Sequence, residues 1–341
     1  MNCDDDGEVG TVPSVTALPV VDLQAAPGQL RDRLREAAHE VGFCYLTGHD
    51  VPASLPGRVL GAARGLFALP PADKDAIAMV RSPHFRGYTR LGGELTRGEV
   101  DWREQIDIGP QRAPIGGPGK PDYLWLQGPN QWPAALPELP AIIDEWDAAL
   151  SRVARTLLRH WAASLGSPPD VFDAAFAGTP ATLIKVIRYP AYAATAQGVG
   201  AHKDSGVLTL LLAEPGTRGL QVRRPGASGW VDVPGLDGAF VVNIGELLEV
   251  ATGGYLRATE HRVDLRSTGS SAAERISIAY FFNPRLDAQV PVLSLPAELA
   301  ARSELRTDPS DPIYAVYGRN AWKSRLRAHP DVAAAHGYAP R

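Results

Sequence analysis

Seven short runs of strand-forming residues, crowded into about 100 residues after Ala181, limit the folds open to this chain more than any other feature. They read TLIKVIRY, GVLTLLLA, GLQVRR, GWVDV, GAFVVNI, ATEHRVDL and ERISIAYFF, parted by glycine and proline. β-Branched and aromatic side chains suit a pleated, half-buried surface, while Gly and Pro supply turns. No helical period separates the runs, so a parallel βαβ wind is excluded and an antiparallel sandwich is expected, with a jelly roll as the leading architecture.

Helical periods lie outside this block. Leu30, Leu34, Ala37, Ala38 and Val41 share one helix face, and Gly42 stops that helix before a strand at 43–46. Further helices are expected over 52–69, over 136–165 (through Ile142, Trp146, Leu150, Val153, Leu157 and Trp161) and over 311–329. Residues 81–135, rich in Gly, Pro and Arg and without a sustained period, read as long loops over something functional. The expected organisation is a region 16–135 whose loops cover a pocket, a long helical segment 136–178, a β core 179–285 and a C-terminal helical segment 286–341. The fold class is mainly β with flanking helices, around a double-stranded β-helix (jelly roll) core.

Composition removes whole classes of function. A net charge of −4 offers no basic stripe for nucleic acid. No window approaches the roughly 18 apolar residues of a membrane span, and the acidic start MNCDDDGEVG lacks the basic and then apolar regions of a secretory leader, so a cytoplasmic protein is expected. Two cysteines, Cys3 and Cys44, make neither a disulfide framework nor a cysteine zinc site. Gly116–Lys120 lacks the Ser or Thr and the upstream Gly of a phosphate loop. The expected partner is a small-molecule substrate, bound by a monomer or weak homo-oligomer.

The chemistry-bearing text is His202-Lys203-Asp204, at the start of a strand-like run. Residues i and i+2 of an extended segment share a face, so imidazole and carboxylate project together while Lys203 points away. His329-Pro330-Asp331 repeats the spacing, but with Pro in the middle and no strand pattern it reads as loop chemistry without function. His261, inside another strand-like run, completes two His and one carboxylate, the facial triad of non-haem Fe(II) oxygenases. Zinc hydrolases use similar ligands but leave only one position for water. Arg275 and Ser277 share a face of ERISIAYFF, and a guanidinium there could clamp a carboxylate through its fork.

With His202-x-Asp204, His261 and Arg275-x-Ser277 in order, and surrounding text such as VVNIGELLE, EHRV and RISIAYFFNP, the chain resembles the isopenicillin N synthase-like family of iron(II)- and 2-oxoglutarate-dependent oxygenases. The resemblance runs from Leu18 onward, including LPVVDL and VGFCYLTGHDV. It implies that His202, Asp204 and His261 bind Fe(II), and that Arg275, Ser277 and Tyr189 hold the distal carboxylate of 2-oxoglutarate. Lys185, two alternations from Tyr189, would also look into the pocket. The implied reaction consumes O2 and 2-oxoglutarate, releases succinate and CO2, and hydroxylates, desaturates or cyclises a small molecule, with specialised metabolism, including antibiotic-type pathways, as its setting. Asp204 stands where related halogenases carry Ala or Gly, so halogenation is not expected. Two departures stand out: Ile187 replaces the Asn usual in plant members, and RSTGSSAA lengthens the interval from His261 to Arg275, read here as an exposed hairpin tip. An oxidase of the same fold that does not use 2-oxoglutarate, and a non-catalytic binding protein on the same scaffold, are the alternatives.

Overall fold

The computed structural model describes residues 18–191, 195–268 and 274–338. In chain order the first region holds β1 (Val20–Asp22), α1 (Pro27–Glu40), β2 (Phe43–Thr47), α2 (Ser54–Ala68), α3 (Pro71–Ala76), β3 (Gly87–Thr89), β4 (Leu95–Thr96), β5 (Glu99–Val100) and β6 (Glu104–Ile108). The long α4 (Leu139–Ser164) follows. Then come β7 (Leu183–Tyr189), β8 (Gln197–His202), β9 (Leu208–Ala213), β10 (Leu220–Val222), β11 (Val231–Asp232), β12 (Phe240–Ile244), α5 (Glu246–Ala251), β13 (His261–Asp264) and β14 (Arg275–Phe282). The chain closes with α6 (Ala297–Ala300), α7 (Tyr317–Ala328) and α8 (Pro330–Ala335).

Two sheets form the core. One has eight strands in the order β1-β2-β12-β9-β14-β7-β6-β3, and the other four in the order β11-β10-β13-β8. This is the jelly roll the strand texture predicts, with helices on the outer side of the larger sheet. α4 buries Leu139, Ile143, Trp146, Leu150, Val153, Leu157 and Trp161 along one stripe, against the sheet and α1. The Trp161 indole donates to the Leu34 carbonyl, and Ser151 and Tyr280 share a hydrogen bond of 2.7 Å. Gly42 ends α1 at φ +73, and a Cβ there would meet the Arg257 carbonyl at 2.2 Å, so the turn needs glycine for both space and conformation.

Alternation within the larger sheet sorts its side chains. Ile106, Ile108, Ile184, Val186, Leu208, Leu210, Leu212, Phe240, Val242, Ile276, Ile278, Tyr280 and Phe282 join the helices in the main apolar cluster. Between the sheets, two smaller clusters form: Phe43, Tyr45, Leu220, Val222 and Val241 belong to one, Ile187, Tyr189, Val199, Val263 and Leu265 to the other.

Two expectations need correction and one needs refining. Residues 81–135 are mainly loop, as expected, but β3 and β6 within them extend the main sheet, and every residue of β6 is buried. Its sequence, EQIDI, carries too few apolar side chains to reveal a strand whose inward face is polar. β8 has no counterpart among the seven runs, because four of the six residues of QGVGAH are glycine or polar. Nor do β13 and β14 form a hairpin, since they lie in different sheets. The segment between them crosses from one sheet to the other, and its centre, 269–273, lies outside the described residues, as does the N-terminal stretch before residue 18.

Candidate active site

The His-x-Asp motif sits at the end of a strand, not at its start. His202 is the last residue of β8, and Asp204 lies in the link to β9. His261 opens β13 and stands directly opposite His202 in the antiparallel pair, with ring centroids 4.3 Å apart. The register shifts between His261 and Val263, an irregularity of the kind that re-aims side chains at strand ends. Asp204 Oδ1 lies 3.5 Å from His202 Nε2 and 3.7 Å from His261 Nε2. Among the described residues this trio is the group of His, Cys, Asp and Glu whose ligand atoms converge within 4.8 Å.

Each member is oriented by a neighbour. The Nδ1 atoms of His202 and His261 lie 2.8 and 3.2 Å from the Gly200 and Thr259 carbonyls, which fixes the proton on Nδ1 and leaves Nε2 free to coordinate. Asp204 Oδ2 accepts from the Thr209 hydroxyl at 2.6 Å and the Asn243 amide at 2.8 Å, so Oδ1 is the free oxygen. Thr209 and Asn243 carry no motif of their own, and the signal that marks them is that each is the polar interruption of a strongly apolar strand, LTLLLA and FVVNI. Lys203 points away and pairs with Glu249 at 3.1 Å.

The electrostatics suit a cation. Burial works against the charged Asp204 carboxylate, yet His261 and His202 together hold its pKa well below the usual range. Burial also opposes a positive His202, but its hydrogen bond to Asp204 and that carboxylate's charge outweigh the penalty and raise its pKa. Burial, reinforced by His202, pushes His261 down to about 4. Two nitrogens and one carboxylate oxygen on one side of a point are a donor set that fits a divalent iron with open positions opposite.

The second half of the site lies on the inner face of the larger sheet. Arg275 pairs with Tyr189 and Ser277 with Ile187 across β14 and β7, so all four side chains share that face. The Arg275 guanidinium is buried 4.8 Å above the Tyr189 ring, and its Nε and Nη1 have no hydrogen-bond partner. A buried guanidinium with unmatched donors is costly unless an anion completes it. A carboxylate of 2-oxoglutarate fits that requirement. Lys185 also faces inward, but it is held by Glu94 at 2.6 Å and lies 3.6 Å from Asp107. His84 is buried with Nδ1 2.7 Å from the Trp125 carbonyl, and His39 stacks on Tyr255.

Comparison with known proteins agrees with this geometry. Residues 18–135 match the family described as non-haem dioxygenase in morphine synthesis N-terminal, and residues 181–284 match the 2OG-Fe(II) oxygenase superfamily. The 2-oxoglutarate-dependent dioxygenase frbJ of Dothideomycetidae sp. (strain 11243) is 34% identical, over 94% of this chain and 91% of the relative. A homoarginine-6-hydroxylase of Glycine max is 33% identical, over 82% and 88%. Among solved structures, JOX2 in complex with 2OG, Fe and JA superimposes with a TM-score of 0.69 at 25% identity, over 94% of this chain and 89% of that one. The rice dioxygenase for auxin oxidation gives 0.63 at 25%, over 91% and 95%. Fold, convergent triad, anion-seeking arginine and relatives thus point the same way, and the chain belongs to the iron(II)- and 2-oxoglutarate-dependent oxygenases, non-haem enzymes built on a jelly-roll core.

Proposed function

We propose that His202, Asp204 and His261 are the protein ligands of the iron, that Arg275, Ser277 and Tyr189 hold the distal carboxylate of 2-oxoglutarate, and that the enzyme oxidises a C–H bond of a small molecule. The observation that carries the assignment is the approach of two imidazole Nε2 atoms to one carboxylate oxygen, at 3.5 and 3.7 Å, together with an unmatched buried guanidinium on the inner face of the larger sheet. When bound, iron and 2-oxoglutarate supply the oxidising chemistry, in which O2 is divided between succinate and the substrate and CO2 is lost. The chain's own residues do the positioning. Thr209 and Asn243 hold Asp204 by one oxygen, the Gly200 and Thr259 carbonyls fix the imidazoles, and Arg275 braced on Tyr189 orients the cosubstrate. The two small apolar clusters between the sheets keep water from the polar face.

The reading goes with a cytoplasmic enzyme working as a monomer or weak homo-oligomer, organised as 16–135, 136–178, 179–285 and 286–341. Several relatives are named homoarginine-6-hydroxylases, which makes L-homoarginine the first probe for substrate. The test is succinate release by the purified protein with Fe(II), O2 and 2-oxoglutarate, read with anaerobic iron binding. One succinate per turnover is expected. Product formation without succinate would move the protein to the oxidases that dispense with 2-oxoglutarate, and failure to bind iron would make it a binding protein on an oxygenase scaffold.

A further inference from the structure

The strand that carries His202 is weakly held by its own sheet. β8 stands at the edge of the smaller sheet, and five steps along it, from Gln197 to His202, face only three along β13, from Asp264 to His261. The surplus falls at Gly198 and between Val199 and His202, so the ladder is interrupted twice, the second time just before the imidazole. A glycine-rich edge strand with an interrupted ladder has too few cross-strand bonds and side-chain contacts to fix the direction of its last residue. The direction has to be set from outside the sheet.

Asp101, between β5 and β6, is 0% exposed and has both carboxylate oxygens occupied. Oδ1 accepts from the Gly200 amide and from Gln197 Nε2, each at 3.1 Å. Oδ2 accepts from the Thr96 hydroxyl at 2.7 Å and lies 3.3 Å from Arg103 Nη2. The backbone continues the contact, with the Trp102 amide donating to the Gln197 carbonyl at 2.9 Å. One carboxylate oxygen thus spans both interruptions of β8, joining Gln197 ahead of them to Gly200 beside His202. The Gly200 carbonyl in turn accepts from His202 Nδ1 at 2.8 Å. A Cβ on Gly200 would meet Thr96 at 2.9 Å, so only glycine lets the β4–β5 hairpin lie this close to the strand. Asp101, the Gly200 backbone and the His202 imidazole form one line of hydrogen bonds that ends at a metal ligand.

We propose that Asp101 is a positioning residue for the iron: it holds the bulged end of β8 through Gly200 and so sets the angle at which His202 meets the metal. A carboxylate suits this post, because a charged acceptor binds an amide about twice as strongly as a neutral one. Its burial is compensated by the four donors that surround it. Without Asp101 the imidazole keeps its place in the chain but is free to swing, so metal is held more weakly and in a different ligand field. The fold itself is secured by the apolar cluster on the other side of the larger sheet. The proposal rests on the reading of His202 as an iron ligand and adds a residue 101 positions earlier in the chain to that same site.

The test is Fe(II) titration of the full-length protein under nitrogen, with the visible absorption of the Co(II)-loaded protein as a report of ligand geometry. Asp101→Ala is expected to weaken Fe(II) binding about tenfold or more, the usual effect of removing a group that orients a metal ligand, and to alter the Co(II) bands. Asp101→Asn, which keeps an oxygen for the Gly200 amide, is expected to stay within about threefold and to restore the bands. Ile278→Ala, on the outer face and away from this line of bonds, should keep the affinity and the bands in its folded fraction. If Asp101→Ala does not fold, the double variant Asp101→Ala/Arg103→Met removes both partners of the buried ion pair and takes its place. Native affinity and bands in the folded Ala variant would overturn the proposal, as would an equal loss in Ile278→Ala. An Asn variant as weak as the Ala variant would overturn it too, since charge and not the bond to Gly200 would then be the cause. Failure of the unmodified protein to bind Fe(II) would instead remove the iron reading, and this proposal with it.

Discussion

The two faces of the eight-stranded sheet are built from the same strands and do opposite work. In β14, Ile276, Ile278, Tyr280 and Phe282 point toward the helices, while Arg275 and Ser277 point inward. In β6, Ile106 and Ile108 face out, and Gln105 and Asp107 face in. In β9 and β12, Thr209 and Asn243 are the inward residues that hold Asp204. The apolar outer face secures the strand positions, so the inner face can carry unmatched donors and buried charges that would otherwise destabilise a small sheet. A one-residue slip would exchange the two sets, which is why the outer pattern also fixes the inner site.

This division can be broken from either side. The largest effect is expected from the inner face: Asp204→Ala or His202→Ala should abolish iron-dependent succinate formation while the thermal midpoint stays near that of the unmodified protein. Unchanged turnover in either variant would sink the ligand assignment. On the outer face, Ile278→Ala, at a site with 0% exposure, should cost about 2–5 kcal/mol of unfolding free energy, read by urea titration, with the folded fraction still binding iron. Arg275→Ala should raise the 2-oxoglutarate requirement roughly 10- to 100-fold through loss of a charge-assisted clamp, with iron affinity retained. A normal requirement would hand Arg275 to the substrate instead.

Proton competition is a gentler probe of the same face. Metal needs neutral imidazole, and the His202 pKa in the metal-free protein is raised above its ordinary value of 6.5. Iron affinity is therefore full above that raised pKa and falls about tenfold per pH unit below it, through one proton. His261, pushed down to about 4, adds its proton only in more acid solution. A flat affinity from pH 8 to 5 would count against two histidine ligands. The smallest effect belongs to Tyr280→Phe, which removes the hydrogen bond to Ser151 under α4 and should cost about 1 kcal/mol, with activity unchanged.

Much of this arrangement was legible in the chain. The triad and the Arg275-x-Ser277 pair could be read because each lies beside a strongly apolar strand whose period places it. The text failed where the inner face dominates a strand. β6 reads as charged loop because its inward positions are Gln105 and Asp107, and β8 is hidden by Gly198 and Gly200, whose missing side chains make room for neighbours. The Pro-Asp context of His329 gives no strand pattern, yet its environment is made by Glu94, some 235 residues earlier in the chain.

The sequence by itself determined the jelly roll and the helices that cover it, because each is written in local periodicity, and it set out His202, Asp204 and His261 as candidate metal ligands. The tertiary structure alone decided which polar residues are buried together: Thr209 and Asn243 on Asp204, and Glu94, Arg103, Lys185 and Arg325 in one charged wall. Such meetings depend on strand order and sheet closure, and a side chain's charge says nothing about which distant partner will neutralise it.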